Sequence, residues 1–452
     1  MRAKLRFRGV WRAASLGALL TAGCAHYQPS PLPSAPDLTK TPALEAPDGD
    51  FRLPGLAFPP SPVHLFPKNG LDEVSVVTLA VFDNPDLKAA RLQAGLADAQ
   101  LLQAGLLPDP RVGAGFATSA LNYGFNFALN EDIQALITRG AAKAGAEAHR
   151  RQVHLDILWQ EWQVAERARE SFIQSCADDR LRQVLSQTRD LFAERYRQDE
   201  EALRRNDLTL DAFSTDLTAL TGAEQSLHQF EIEADATRRG LNQLLGLDPG
   251  AQLPLTGCGD LRPVSAEQFQ EAVTLLPRRR VDLLALKAGY ESQEQSVRQA
   301  VLSQFPSLGA GVEQGRDPIE GINYLGPNVT LTLPLFNRNR GQIAEQRATR
   351  AILRQTYQAR IDQAVGDASR VWAAIATMQG QLRDLDARLP GLRRIATATE
   401  LSFRQGNSDA ASYVGAKSGL LAAQAQEIRL QTDLANANSV LNTLLGLPFG
   451  AP

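Results

Sequence analysis

The chain has 452 residues, 44% hydrophobic and 21% charged, which excludes a compositionally disordered protein and is long enough for more than one domain. The formal net charge is −3, yet the first 23 residues hold five cations (Arg2, Lys4, Arg6, Arg8, Arg12) and no acid. The remainder therefore carries 42 basic against 50 acidic residues, the opposite of the basic surface that a nucleic-acid partner would favour.

Residues 1–23 read as a signal peptide. The basic start is followed by an apolar run from Ala13 to Ala22, too short to span a bilayer. The ending Leu20-Thr21-Ala22-Gly23-Cys24 resembles a bacterial lipobox, with Thr21 where Leu is usual and Leu20 one step further out. That resemblance implies that Cys24 becomes the lipidated first residue. Ala25 after it is similar to the pattern of lipoproteins sent to the outer membrane. Residues 24–70 are rich in Pro and polar turn residues and read as an extended arm. An oxidising periplasm would permit a disulfide between Cys176 and Cys258, but two unpaired thiols are the expectation.

Sliding the chain on itself reveals a duplication. From Asp86 and from Asp282 the sequences align at a register of 196 residues, matching Gly113-Ala114-Gly115 with Gly309-Ala310-Gly311 and Pro110 with Pro306. Asn122-Tyr123 and Arg139-Gly140 match Asn323-Tyr324 and Arg340-Gly341 at a register of 201, so the second copy has five more residues in its turn. The ends, LNQLLGLDPG from Leu241 and LNTLLGLPFG from Leu441, match at 200. The organisation is thus repeat one at 71–250, a linker at 251–264 and repeat two at 265–450.

Each repeat opens with a helix of good helix formers, near Asp72–Leu107 and Ala266–Gln304, the second interrupted around Pro277. The period then changes to loose alternation. This predicts a hairpin at about 111–131 (strands Arg111–Thr118 and Tyr123–Glu131) and another at about 308–336 (strands Leu308–Gln314 and Val329–Phe336). Very long helices follow. From Gln134 to Leu203 only Gly140 and Gly145 interrupt, and such a length, roughly 90–105 Å at 1.5 Å per residue, fits a coiled-coil-like tube or rod. Polar turns at Arg205-Asn206-Asp207 and Gln405-Gly406-Asn407 send the chain back, and the return helices end at Gly246 and Gly446.

Four short strands cannot close a membrane barrel, because such barrels start at eight strands. Open edges in lipid would leave backbone groups unsatisfied. Two chains would supply eight strands, a barrel filled by its own side chains, and three would supply twelve, enough for a pore. A conducting role therefore favours a homotrimer.

The order of these landmarks resembles the TolC-like outer-membrane efflux proteins. The residues that carry the resemblance are NPDLKAARLQAGLADAQLLQAGLLPDP, RVDLLALKAGYESQEQSVRQAVLSQFP, TLPLFNRNRGQIAEQRATR and the helix pairs ending in LLGL, over nearly all of Leu71 to Leu447. The resemblance implies a mainly α fold with a small transmembrane β part: a trimeric α-barrel in the periplasm joined to a twelve-stranded β-barrel in the outer membrane. It further implies a passive export conduit for small molecules or metal ions. The partners implied are an inner-membrane pump, a periplasmic adaptor (membrane fusion protein) and outer-membrane lipid.

Pro334, Phe336 and Asn337 resemble the elbow from barrel to helix, and the Phe-Asn-Arg-Asn run is similar to the heavy-metal efflux branch. In the family the helix tips close the tube. Here they carry Arg204, Asp207 and Asp211 in repeat one, and Phe403, Arg404, Asp409 and Tyr413 in repeat two. The family's acidic latch positions in the second tip fall on Ser412 and Gly415, a departure from the pattern. Charged residues repeated threefold about an axis would make rings able to select ions or pin a closed state.

No catalytic, cofactor or metal signature is present. None of His26, His64, His149, His154 and His228 has a Cys or His partner at ligand spacing. The protein is expected not to be an enzyme. The competing reading is a periplasmic coiled-coil scaffold lipoprotein without a pore, which would have no use for four lipid-compatible strands.

Overall fold

The structure, a computed structural model, describes residues 27–38, 70–118, 123–257 and 264–447. The signal peptide, Cys24, Cys258, most of the arm and the first hairpin turn lie outside the described residues. Residues 27–38 form a separate unit, exposed and without helix or strand.

In the second unit, repeat one comprises α1 (Glu73–Asp83), α2 (Pro85–Gly105), β1 (Arg111–Thr118), β2 (Tyr123–Asp132), α3 (Ile133–Arg204) and α4 (Leu210–Leu244). Repeat two comprises α5 (Ala266–Arg279), α6 (Val281–Leu302), β3 (Ser307–Arg316), β4 (Asn323–Thr332), α7 (Arg340–Arg404) and α8 (Ala410–Leu444). The mainly helical class with a small strand part follows the sequence reading. The 72-residue α3 would extend about 108 Å. No single core can cover that length, and its buried residues fall into successive clusters, one around Trp162 and Phe172 and another around Leu181 and Leu185. The return helices α4 and α8 have 35 residues each.

Two expectations are corrected in the opening helices. The single helix near Asp72–Leu107 is two, divided at Asn84. A residue before proline is disfavoured in the α region, and Asn84 is extended (φ −53°, ψ 124°) while its side chain accepts from the Leu87 N–H at 3.0 Å. In repeat two the break falls at Arg280 (φ −77°, ψ 120°), three residues beyond Pro277, which lies inside α5. Asn84 and Arg280 are equivalent at the register of 196, so this joint belongs to the duplicated unit.

The LLGL landmark explains where the joint falls. Gly246 and Gly446 are left-handed (φ +65° and +66°) and end α4 and α8, with Leu247 N–H donating to Asn242 O and Leu447 N–H to Asn442 O, each at 2.9 Å. Each glycine lies against the joint of its own repeat. A Cβ on Gly246 would meet the Asp83 carbonyl oxygen at 2.8 Å, and one on Gly446 would meet Arg279 C at 3.2 Å and Arg280 N at 3.3 Å. Asn84 Nδ2 donates to the Leu244 carbonyl at 3.1 Å, and an Arg280 terminal nitrogen to the Leu444 carbonyl at 3.4 Å. Replacing Gly246 by Ala is expected to cost at least about 1–2 kcal/mol from the left-handed backbone alone. Gly446→Ala should cost less than Gly246→Ala, because its contacts are looser. Thermal unfolding of the detergent-solubilised protein, followed by helical circular dichroism, checks the order.

The strands form one antiparallel sheet in the order β1-β2-β3-β4, so β2 of one repeat pairs with β3 of the other. The second hairpin corrects its expected bounds: β4 begins at Asn323 and ends at Thr332 rather than running from Val329 to Phe336. Gly326-Pro327 reads as a turn in sequence, but β4 is a sheet edge, where a residue without an N–H is tolerated. Cys176 also departs from expectation: it is disulfide-bonded, with its partner outside the described residues.

Candidate functional site

The sheet has two chemically distinct faces. Residues paired across antiparallel strands share a face, so the register Val112↔Leu129, Leu129↔Val312 and Val312↔Pro327 defines one row, and Phe116↔Phe125 lies on the same face four residues further along β1 and β2. That face also carries Phe127, Leu308, Leu325, Val329 and Leu331, with Glu131 toward one end and Gln314 and Arg316 toward the other. Val112, Phe116, Leu325 and Val329 are among its most exposed side chains. The opposite face holds Gly113, Gly115, Asn126, Gly309, Gly311, Glu313, Asn328 and Thr330. At its centre Tyr324 donates to Glu313 at 3.1 Å and Asn126 Nδ2 to the same oxygen at 3.4 Å. β1 and β4 each have one side without a strand partner among the described residues. No described helix is long and apolar enough to cross a membrane, which says nothing of a barrel.

From β4 the chain turns through residues 333–339 into α7. Leu335 N–H donates to the Leu333 carbonyl at 2.9 Å, and Arg338 and Asn339 are left-handed (φ 49° and 53°). Asn339 Nδ2 donates to the Ala300 carbonyl at 2.8 Å and fixes the bend against α6. Pro334, Phe336 and Asn337 lie in this segment, with Phe336 94% exposed. In repeat one β2 runs directly into α3, where Asp132 caps the helix by accepting from Ala135 N–H at 3.1 Å.

The far ends of the long helices are two equivalent turns, with left-handed Asn206 (φ 61°) and Gly406 (φ 74°) in the same place. Phe403 and Tyr413 stack at 5.4 Å with 5° between planes, while Tyr196 and Phe213 meet at 5.3 Å in a tilted pair. Arg404 turns back to Glu400 at 2.5 Å, Arg204 lies 3.8 Å from Glu200, and Asp207 pairs with Arg205 at 3.5 Å. These pairs are exposed and contribute little to stability. Asp211 is exposed in the first turn of α4. Asp409 caps α8 by accepting from Ser412 N–H at 2.6 Å, which holds its carboxyl below the usual range, helped by the charge of Arg195.

The structure adds residues that the sequence reading missed. Arg195 of α3 lies 3.0 Å from Asp199 and 3.2 Å from Asp216 of α4. Their counterparts at a register of 200 are Ile395, Thr399 and Ala416, a difference between the copies that a closer alignment of the tips would have exposed. Among the described residues no group of three or more His, Cys, Asp and Glu could hold a metal ion.

Residues 273–447, most of repeat two, match the family model for the outer membrane efflux protein. The chain shares its fold with solved outer-membrane channels. Among solved structures, the outer membrane protein VceC of Vibrio cholerae is 16% identical with a TM-score of 0.68, covering 83% of this chain and 96% of that one. The Campylobacter jejuni CmeC outer membrane channel is 17% identical with a TM-score of 0.67, covering 84% and 87%. CusC is 15% identical with a TM-score of 0.68, covering 84% and 93%. No curated protein matches by sequence. The efflux-protein match falls on repeat two, and repeat one shares its order of elements, its joint and its tip.

Proposed function

We propose that this outer membrane efflux protein is the channel subunit of a tripartite efflux system: a passive conduit for small molecules or metal ions delivered by an inner-membrane pump through a periplasmic adaptor. The observation that carries this reading is the sheet, with one apolar exposed face, one Gly-, Asn- and Thr-rich face and two open edges. In a bilayer those edges must be closed, and four strands cannot close on themselves. Three copies supply twelve strands, with the apolar face toward lipid and the Glu313 face toward water. The long helices then continue the wall into the periplasm, and the lipidated Cys24 adds an anchor to the outer membrane. The channel supplies no energy, and the pump and adaptor choose the cargo.

Within this reading Arg404, Asp409, Phe403 and Tyr413 of one tip, with Arg204, Asp207 and Asp211 of the other, form the closing end. Pro334, Phe336 and Asn337 turn the barrel wall into the helical wall. Reconstitution into planar bilayers tests it. Stepwise ion conductance is expected from the trimer, small in the wild type and larger when Arg404 and Asp409 are both neutralised. Persistent silence of the double variant would overturn the channel, and protein that stays soluble without detergent would favour a pore-free scaffold.

A further inference from the structure

Near the end of α3 lies a charge arrangement that conduction through a tube does not require. The side chain of Arg195 is 15% exposed and that of Asp199 only 5%. Nε of Arg195 stands 3.0 Å from Oδ2 of Asp199 and 3.2 Å from Oδ2 of Asp216, across the gap to α4. Nε carries one hydrogen, and it is directed at Asp216. Oδ2 of Asp199 is buried and receives no hydrogen bond. Two carboxylates thus compete for one guanidinium, Asp199 buried and Asp216 half-buried, and the buried one has an oxygen that lacks a hydrogen. Burying an incompletely compensated carboxylate is costly, and the cheapest remedy is a proton. The charged groups facing Asp199 are Arg195 on its own helix and Asp216 on α4. Asp409, at the start of α8, feels the charge of Arg195 from the second repeat.

We propose that Asp199 and Asp216 share one proton, and that this pair, held by Arg195, is a proton-operated clasp that tightens the α3–α4 tip and sets how readily the periplasmic end opens. The proton comes from solvent, binds one carboxyl oxygen of the pair and leaves one negative charge opposite one guanidinium. Its effect on opening rests on the channel reading, whereas the clasp itself does not. Burial, and then proton sharing with Asp216, lifts the Asp199 carboxyl from 3.8 to about 6. A carboxyl with a raised value in the closed tip holds its proton more tightly there than in an opened, wetted tip. Closure is therefore favoured as pH falls through about 6, and that increment is lost as pH rises above it.

Hydrogen exchange of the full-length protein in detergent reads the clasp directly. With intrinsic rates divided out, amides of the α3–α4 tip should be about fourfold better protected at about pH 5.5 than at about pH 7.5, from the linkage relation with these two values. Asp199→Asn keeps the shape without the charge and should hold the tip at its low-pH protection at both pH values. Asp216→Asn should flatten the response in the same way. A pH response that survives undiminished in either variant overturns the clasp, as does a wild type whose protection does not change with pH. In bilayers the wild-type open probability should fall by a similar factor over the same step, and that of Asp199→Asn should not. Silence of every variant in the bilayer, with the exchange response intact, counts against the channel and leaves the clasp standing. A conducting protein without the exchange response does the reverse.

Discussion

Val312→Arg is expected to abolish stable insertion in the outer membrane, while Asn328→Arg on the neighbouring strand is tolerated. Val312 sits mid-strand between Leu129 and Pro327 on the apolar face, and Asn328 sits opposite Gly311 on the other. An arginine facing lipid at the middle of a barrel costs roughly 2–4 kcal/mol, and a trimer would carry three. A guanidinium on the water side costs little. Membrane fractionation and gel mobility of the unboiled trimer distinguish the two variants. Equal behaviour would mean that the faces are assigned the wrong way round or that the sheet does not enter lipid.

The second large effect concerns Arg280, which is 2% exposed at the joint of repeat two. Its guanidinium donates to both oxygens of Asp282, at 2.9 and 3.1 Å, and lies 5.3 Å from the centre of the Trp159 ring on α3. Arg360 of α7 donates to the same carboxylate at 2.7 Å. One side chain therefore links α3, α6 and the end of α8, and through Asp282 also α7. Arg280→Met leaves the buried Asp282 with only Arg360 and the Leu283 N–H as partners and removes the cation that grips both of its oxygens, which is expected to cost about 3–5 kcal/mol. Adding Asp282→Asn should recover much of that loss, because most of it is the uncompensated charge. Unfolding of the single and double variants in detergent measures the recovery, and a double variant no more stable than the single would refute the electrostatic account.

The features legible in the sequence were those written locally and twice. The polar turns, the LLGL ends and the two long helix pairs need only short-range chemistry: a left-handed Asn206 or Gly406, a capping Thr209 or Asp409, and long runs of good helix formers. The break at Arg280 was displaced from Pro277 because it is made by docking. Nothing in Arg279-Arg280-Val281 announces that Gly446 will press against it. β4 starts earlier than its alternation suggests for a related reason, since Gly326-Pro327 has the chemistry of a turn and only the position of β4 at the sheet edge makes it strand. The clasp was hidden because Arg195 and Asp199 are four apart on a helix, the spacing of an ordinary solvated ion pair. Asp216 makes the difference, and it arrives from another helix. The two faces of the sheet became evident once the register was known, because loose alternation across Gly-rich strands does not by itself fix which neighbours align.

The open edges of β1 and β4 also govern how the protein is made. A lone chain presents two strands that are unpaired among the described residues beside a greasy face, a template for the wrong partner as much as for the right one. Its sheet has no finished state of its own. In the proposed channel, folding, oligomerisation and membrane entry would then be a single coupled event whose rate climbs steeply with chain concentration. An escort that shields those strands would speed maturation without ever touching the finished pore.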